Sequence, residues 1–116
     1  MEKQVLSASG IDATKPKGTK TRLGYIMIHR YGGSIEVVEV IARQSGAADA
    51  YWNIELAGNN IFSTSQSVAA ADKDQIFYPD QNKYAAASAL PVDFVMKASS
   101  ATAGSTIDVA VLVRRI

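Results

Sequence analysis

Tyr51-Trp52-Asn53-Ile54-Glu55-Leu56-Ala57-Gly58-Asn59-Asn60-Ile61-Phe62-Ser63 is the stretch whose reading decides the fold. Trp52, Ile54 and Leu56 alternate with Tyr51, Asn53 and Glu55, and a period of two is the signature of a strand. The alternation predicts Trp52, Ile54 and Leu56 inward and the other three outward. Gly58-Asn59-Asn60 tolerates positive φ and predicts a hairpin turn, after which Ile61-Phe62-Ser63 begins a return strand.

The same period extends outward from this hairpin. Leu23 to Tyr31 alternates, and Gly32-Gly33 turns the chain. Ser34 to Arg43 is a second strand whose parity breaks at Val37-Val38. A β-bulge there puts Ile35, Val37, Val40 and Ala42 on one face and Glu36, Ile41 and Arg43 on the other. Gln44 to Ala50 is a loop of small residues. Gln75 to Tyr78 is a short strand closed by Pro79-Asp80-Gln81-Asn82. Leu90 to Lys97 sets Val92, Phe94 and Met96 against Asp93, Val95 and Lys97. Thr106 to Arg115 points Ile107, Val109, Val111 and Val113 one way. The alanine-rich stretches 67–71 and 84–89 are too short for a stable helix and read as loops or a helical turn. About seven short strands with regular turn signals predict an all-β fold, a single antiparallel β-sandwich of jelly-roll type. Its expected core holds Trp52, Ile54, Leu56, Phe94, Val109 and Val111.

The 116 residues suit one domain. Residues 1–22 hold five basic residues, Lys3, Lys15, Lys17, Lys20 and Arg22, against two acidic ones, whereas the remainder holds seven basic and nine acidic. This first segment shows no sustained period and contains Gly10, Pro16 and Gly18. It reads as an extended N-terminal arm, with 23–116 as the sandwich and the five cations as candidates for attachment to another surface.

A net charge of +1 argues neither for nucleic acid nor for an anionic membrane as the main partner, and neither is expected. The chain has no cysteine, which excludes disulfides, thiol catalysis and cysteine-based zinc sites. No apolar run is long enough to span a bilayer, and the first residues lack an apolar signal core, so synthesis in a cytoplasm is expected.

The inventory of catalytic chemistry is thin. His29 is the lone histidine, with no serine elbow or His-carboxylate cluster around it, and reads as a partly exposed strand residue. Asp72, Asp74, Asp80 and Asn82 offer oxygens, but their spacing matches no calcium loop and they read as solvated loop residues. No enzyme activity, cofactor or metal is expected. Tyr51, Tyr78 and Tyr84 are available as surface aromatics for a carbohydrate, whereas Trp52 shares the parity of the core. One feature calls for a partner. Leu23 to Tyr31 is apolar on both faces, so Leu23, Tyr25, Met27 and Tyr31, with the outward Ile41, are the candidate subunit interface of a homo-oligomer.

The Tyr51–Ser63 stretch resembles a pattern of small β-sandwich proteins of tailed-phage particles, in which an aromatic-aliphatic strand leads through Gly/Asn into Ile-Phe-Ser. Ala103-Gly104-Ser105-Thr106-Ile107-Asp108-Val109-Ala110-Val111 resembles the closing strand of the same domains. Such domains occur in capsid decoration (cement) proteins and in head or tail fibres. The resemblance covers most of 23–116 and implies a jelly roll in a virion, bound to the major capsid protein or another virion protein. It also implies self-association, with a trimer favoured. The competing expectation is a carbohydrate- or receptor-binding module of a fibre.

Overall fold

A computed structural model describes residues 3–26, 33–46, 48–68, 73–86 and 89–116. They form ten strands: β1 Lys3–Asp12, β2 Lys20–Ile26, β3 Gly33–Ser45, β4 Tyr51–Leu56, β5 Asn59–Asn60, β6 Gln66–Ser67, β7 Gln75–Phe77, β8 Lys83–Ala86, β9 Leu90–Ala98 and β10 Thr106–Arg115. There is no helix among the described residues.

Two five-stranded sheets divide the strands. The first runs β1-β10-β3-β7 with β8 also on β3; the second runs β2-β9-β4-β5 with β6 also on β4. All the pairings are antiparallel, and they nest: β1 with β10, β2 with β9, β3 with β7 and β8, β4 with β5 and β6. A long hairpin wound up in this way is a jelly roll, in which β5/β6 and β7/β8 each fill one of eight strand positions.

The core forms where inward parities of the two sheets meet. Trp52, Ile54, Phe94 and Val111 are fully buried, and Leu56 and Val109 nearly so. Trp52 stacks on Phe94 at 5.4 Å and meets Phe77 edge-on at 5.3 Å and Phe62 at 5.9 Å. The expected bulge in β3 is present. Leu112 pairs with Glu39 and Val113 with Val37, which leaves Val38 as the extra residue. Ile35, Val37, Val40 and Ala42 are all buried as a result.

The arm reading is corrected. Lys3–Asp12 is a full strand along β10, with Leu6 and Ile11 in the core, and Lys20–Ile26 is an edge strand along β9. Between them the turn is tied down: Ala13 N donates to Ser105 O at 2.9 Å, Ser100 N to Ala13 O at 2.7 Å and Gly18 N to Met96 O at 2.7 Å. Two register shifts scramble the sequence period, one between Ala8 and Ile11 and one between Arg22 and Gly24. The second lets both Leu23 and Ile26 turn toward the core. Gly24, at φ +146°, is held by the opposite sheet. A Cβ there would lie 2.6 Å from Leu6 Cδ2.

Three smaller expectations also change. The hairpin turn falls at Ala57-Gly58, both at positive φ (51° and 85°), so Asn59 and Asn60 already pair with Leu56 and Glu55. Ile61-Phe62-Ser63 is not a strand; it bends inward and buries Ile61 and Phe62. Lys83–Ala86, which takes in the start of the second alanine-rich stretch, pairs with β3 as a strand.

Two measurements check this core. Trp52→Ala should cost about 3–5 kcal/mol in denaturant unfolding. The indole Nε1–H is buried with no hydrogen-bond partner among the described residues, so Trp52→Phe should cost much less. Deleting residues 1–12 should abolish cooperative unfolding, because β10 loses its neighbour and the core loses Leu6 and Ile11; a folded truncation would contradict the strand.

Candidate interaction face

The outer surfaces of the two sheets differ in kind. On the second sheet, outward residues of β2, β9 and β4 are tied into ion pairs. Lys20 Nζ lies 2.9 Å and Lys97 Nζ 3.8 Å from Glu55, and Arg22 Nε lies 2.6 Å from Asp93. Arg22 also donates to the Tyr25 hydroxyl at 2.5 Å, its guanidinium 4.9 Å from that ring's centroid. By accepting the hydrogen bond from Arg22 Nε, the Asp93 carboxylate raises the Arg22 pKa above its ordinary value. Asn53, outward by parity, is nevertheless buried. Its side-chain amide donates to Phe62 O at 2.8 Å and accepts from Phe62 N at 3.3 Å. The charges of this surface are internally paired, while Tyr25 and Tyr51 stay 48% and 46% exposed on it.

The outer surface of the first sheet is built from rows set by the strand register. One row runs Ser7, Ala110, Ile41, Ile76, and the next runs Val5, Leu112, Glu39. Tyr78, one residue beyond β7 and outward by alternation from Phe77, continues the second row. Val5, Ile76 and Tyr78 are 62%, 52% and 72% exposed, large values for apolar side chains on one face. Charges flank these rows at both ends. Beyond Ala110 lie Asp108 and the Arg43–Asp74 pair at 3.0 Å; beyond Leu112 lie Lys3, Lys83 and the Arg114–Glu36 pair at 2.5 Å. A shallow depression of about 420 Å³ opens at the first end, floored by Ser7, Ala8, Ser9 and Ala110 and walled by Ile41, Arg43, Asp74 and Asp108. An apolar centre inside a charged rim is the anatomy of a protein-protein contact.

The sequence-derived interface residues separate in three dimensions. Leu23 packs against the core, Tyr25 is exposed on the second sheet, and Ile41 lies half-buried on the first. Met27, Tyr31 and His29 lie outside the described residues. Of the five basic candidates, Lys20 and Arg22 are engaged in ion pairs, Lys3 sits on the first sheet, and Lys15 and Lys17 are exposed on the β1–β2 turn. The tyrosines do not share a platform. Tyr51 belongs to the second sheet and Tyr78 follows β7 of the first; Tyr84 packs against the core and donates its hydroxyl to Gln81 O at 2.6 Å.

The loop carboxylates have structural partners. Asp74 pairs with Arg43, and Asp80 accepts from the Ser63 hydroxyl and from Ser63 N at 2.9 Å. No group of three or more potential metal ligands occurs among the described residues. Asp72 lies outside them. The apolar rows were hard to see in the sequence because each comes from three or four distant strands.

No protein-family model matches the sequence, and no curated protein matches it. Among solved structures the chain is similar to one in the structure of infectious bursal disease virus, Gx strain, at 13% sequence identity and a TM-score of 0.44. The similarity covers 97% of this chain and 32% of that one, so this chain spans about a third of its length.

The hydrogen bonds from Ser63 lower the Asp80 pKa, the hydroxyl's being the larger effect. A depressed folded-state pKa stabilises the protein above the unfolded value, 3.8, and this stabilisation is lost as pH falls through the folded one. Urea unfolding at pH 7 and pH 3 should therefore show a smaller acid-induced loss for Asp80→Asn than for the parent. An equal loss would show that Asp80 contributes nothing to the pH dependence.

Proposed function

We propose that this chain is a non-enzymatic structural protein of a phage virion, a decoration or cement protein that binds the capsid surface. The observation that carries the reading is the asymmetry between the two outer faces: one is closed by its own ion pairs, the other presents apolar rows within a charged rim. Such a jelly roll is built for association. The resemblance of Tyr51–Ser63 and Ala103–Val111 to virion sandwich domains supports the particle as its setting. Repeated copies on a lattice need no deep pocket, since many weak contacts add.

Lys15 and Lys17 are the cations for contact with the capsid. Both are exposed at the tip of the β1–β2 turn. Thr19 caps the turn through its hydroxyl to Pro16 O at 2.8 Å, so the lysines are presented by a defined loop.

Gradient-purified particles of the encoding phage should contain the protein at a fixed ratio to the major capsid protein. A Lys15→Glu/Lys17→Glu double variant should lose occupancy and keep its melting temperature. Absence from purified particles, or specific binding on a glycan array, would reject the reading in favour of another role.

A further inference from the structure

We infer that the outer face of the first sheet is covered by a second copy of this chain, in a two-fold contact whose axis crosses the strands at the level of Val111. The inference comes from the register. Two flat faces related by an in-plane axis perpendicular to their strands keep the strand columns and reverse the row order. On β10 that operation sets Ala110 against the partner copy's Leu112, a small residue beneath a large one. On β1 it sets Ser7 against Val5. The depression floored by Ser7 and Ala110 thereby receives the apolar knobs of the other copy. Along β7 it brings the exposed Ile76 opposite Tyr78.

The charged rows match under the same axis. Asp108 comes opposite Arg114 and Arg43 opposite Glu36, both pairs drawn from the register of β3 against β10. Asp74, aligned with Arg43, comes opposite Lys83, aligned with Glu36. Each of the three crossings joins opposite signs, and each occurs twice across the contact. The intramolecular pairs Arg43–Asp74 and Arg114–Glu36 merge, with Asp108 and Lys83, into two six-member networks. Rotation about an axis along the strands, between β10 and β3, would also set Asp108 against Arg43 and Arg114 against Glu36, but it would bring Lys3 against Lys83 of the other copy. That like-charge crossing is absent under the perpendicular axis, which the charges therefore favour. Glu39 is the single charge in the central rows and works against the contact.

Four strand columns about 4.8 Å apart and four rows about 6.7 Å apart give a footprint of roughly 500 Å² per copy, at the small end for a specific dimer. The association is accordingly weak and concentration-dependent. The contact occupies the same apolar face whose exposure carries the proposed function, but it needs no capsid, so it is tested on the isolated protein.

Sedimentation equilibrium from low to high micromolar protein should show a monomer–dimer equilibrium. Leu112→Lys should weaken it at least tenfold with an unchanged melting temperature. Lys83→Glu and Asp74→Lys should each weaken it, and the double variant should recover most of the parent affinity. Glu39→Leu should strengthen it. A parent protein that stays monomeric throughout, or forms a trimer, would overturn the inference, as would a double variant no better than the singles.

Discussion

The aromatic cluster of Trp52, Phe94, Phe77 and Phe62 is the contact on which the rest of the molecule depends. Trp52 and Phe94 belong to one sheet and Phe77 to the other, so their stacked and edge-on contacts clamp the two layers together. The clamp fixes parity. With Trp52 inward on β4, every outward side chain of the second sheet is assigned; with Phe77 inward on β7, Ile76 and Tyr78 must face out. The exposed apolar rows of the first sheet follow from the way the interior is filled.

The two sheets then handle their outer faces by different physics. On the second sheet long cationic side chains reach across strands to half-buried carboxylates, and the Phe62 backbone lies against Asn53. Surface ion pairs of this sort add little stability, about 0–1 kcal/mol each, but they leave few groups in want of a partner. On the first sheet the middle rows carry valine, leucine, isoleucine and alanine, and apart from Glu39 their charges lie at the ends. Solvation of such a surface is incomplete, and covering it releases water from apolar area.

Alternation made β3, β4, β9 and β10 legible, because each buries a row of apolar side chains. Even the bulge at Val38 was readable, since a long apolar strand shows where its parity slips. β1 was not, for a specific reason. Its inward residues Leu6 and Ile11 are of opposite parity, with the slip hidden at Ser9-Gly10, and the remaining residues are small or polar. The same masking affects β2, where the bulge near Leu23 turns one sheet's inward residues into an apparently two-sided pattern. The burial of Asn53 had no local signal, because it depends on a segment that leaves the hairpin and bends back. Faces assembled from several strands are legible only after the register is known. Ile41 was rightly singled out as outward, yet its neighbours Ala110 and Ile76 are far away in the chain.

The pairing of β1 with β10 sets the order in which the molecule can be completed. Lys3 lies beside Arg114 and Leu6 beside Val111, so this ladder closes a loop of roughly a hundred residues, at an entropic cost of about 4 kcal/mol. Contacts of such sequence separation form late, and folding belongs in the millisecond-to-second range typical of β-sandwiches. During synthesis β1 emerges well before β10 and has no partner until β10 leaves the ribosome. Until then Leu6 and Ile11 stay in water and the edge of β3 is uncovered, so the unfinished chain is the form most in need of a chaperone.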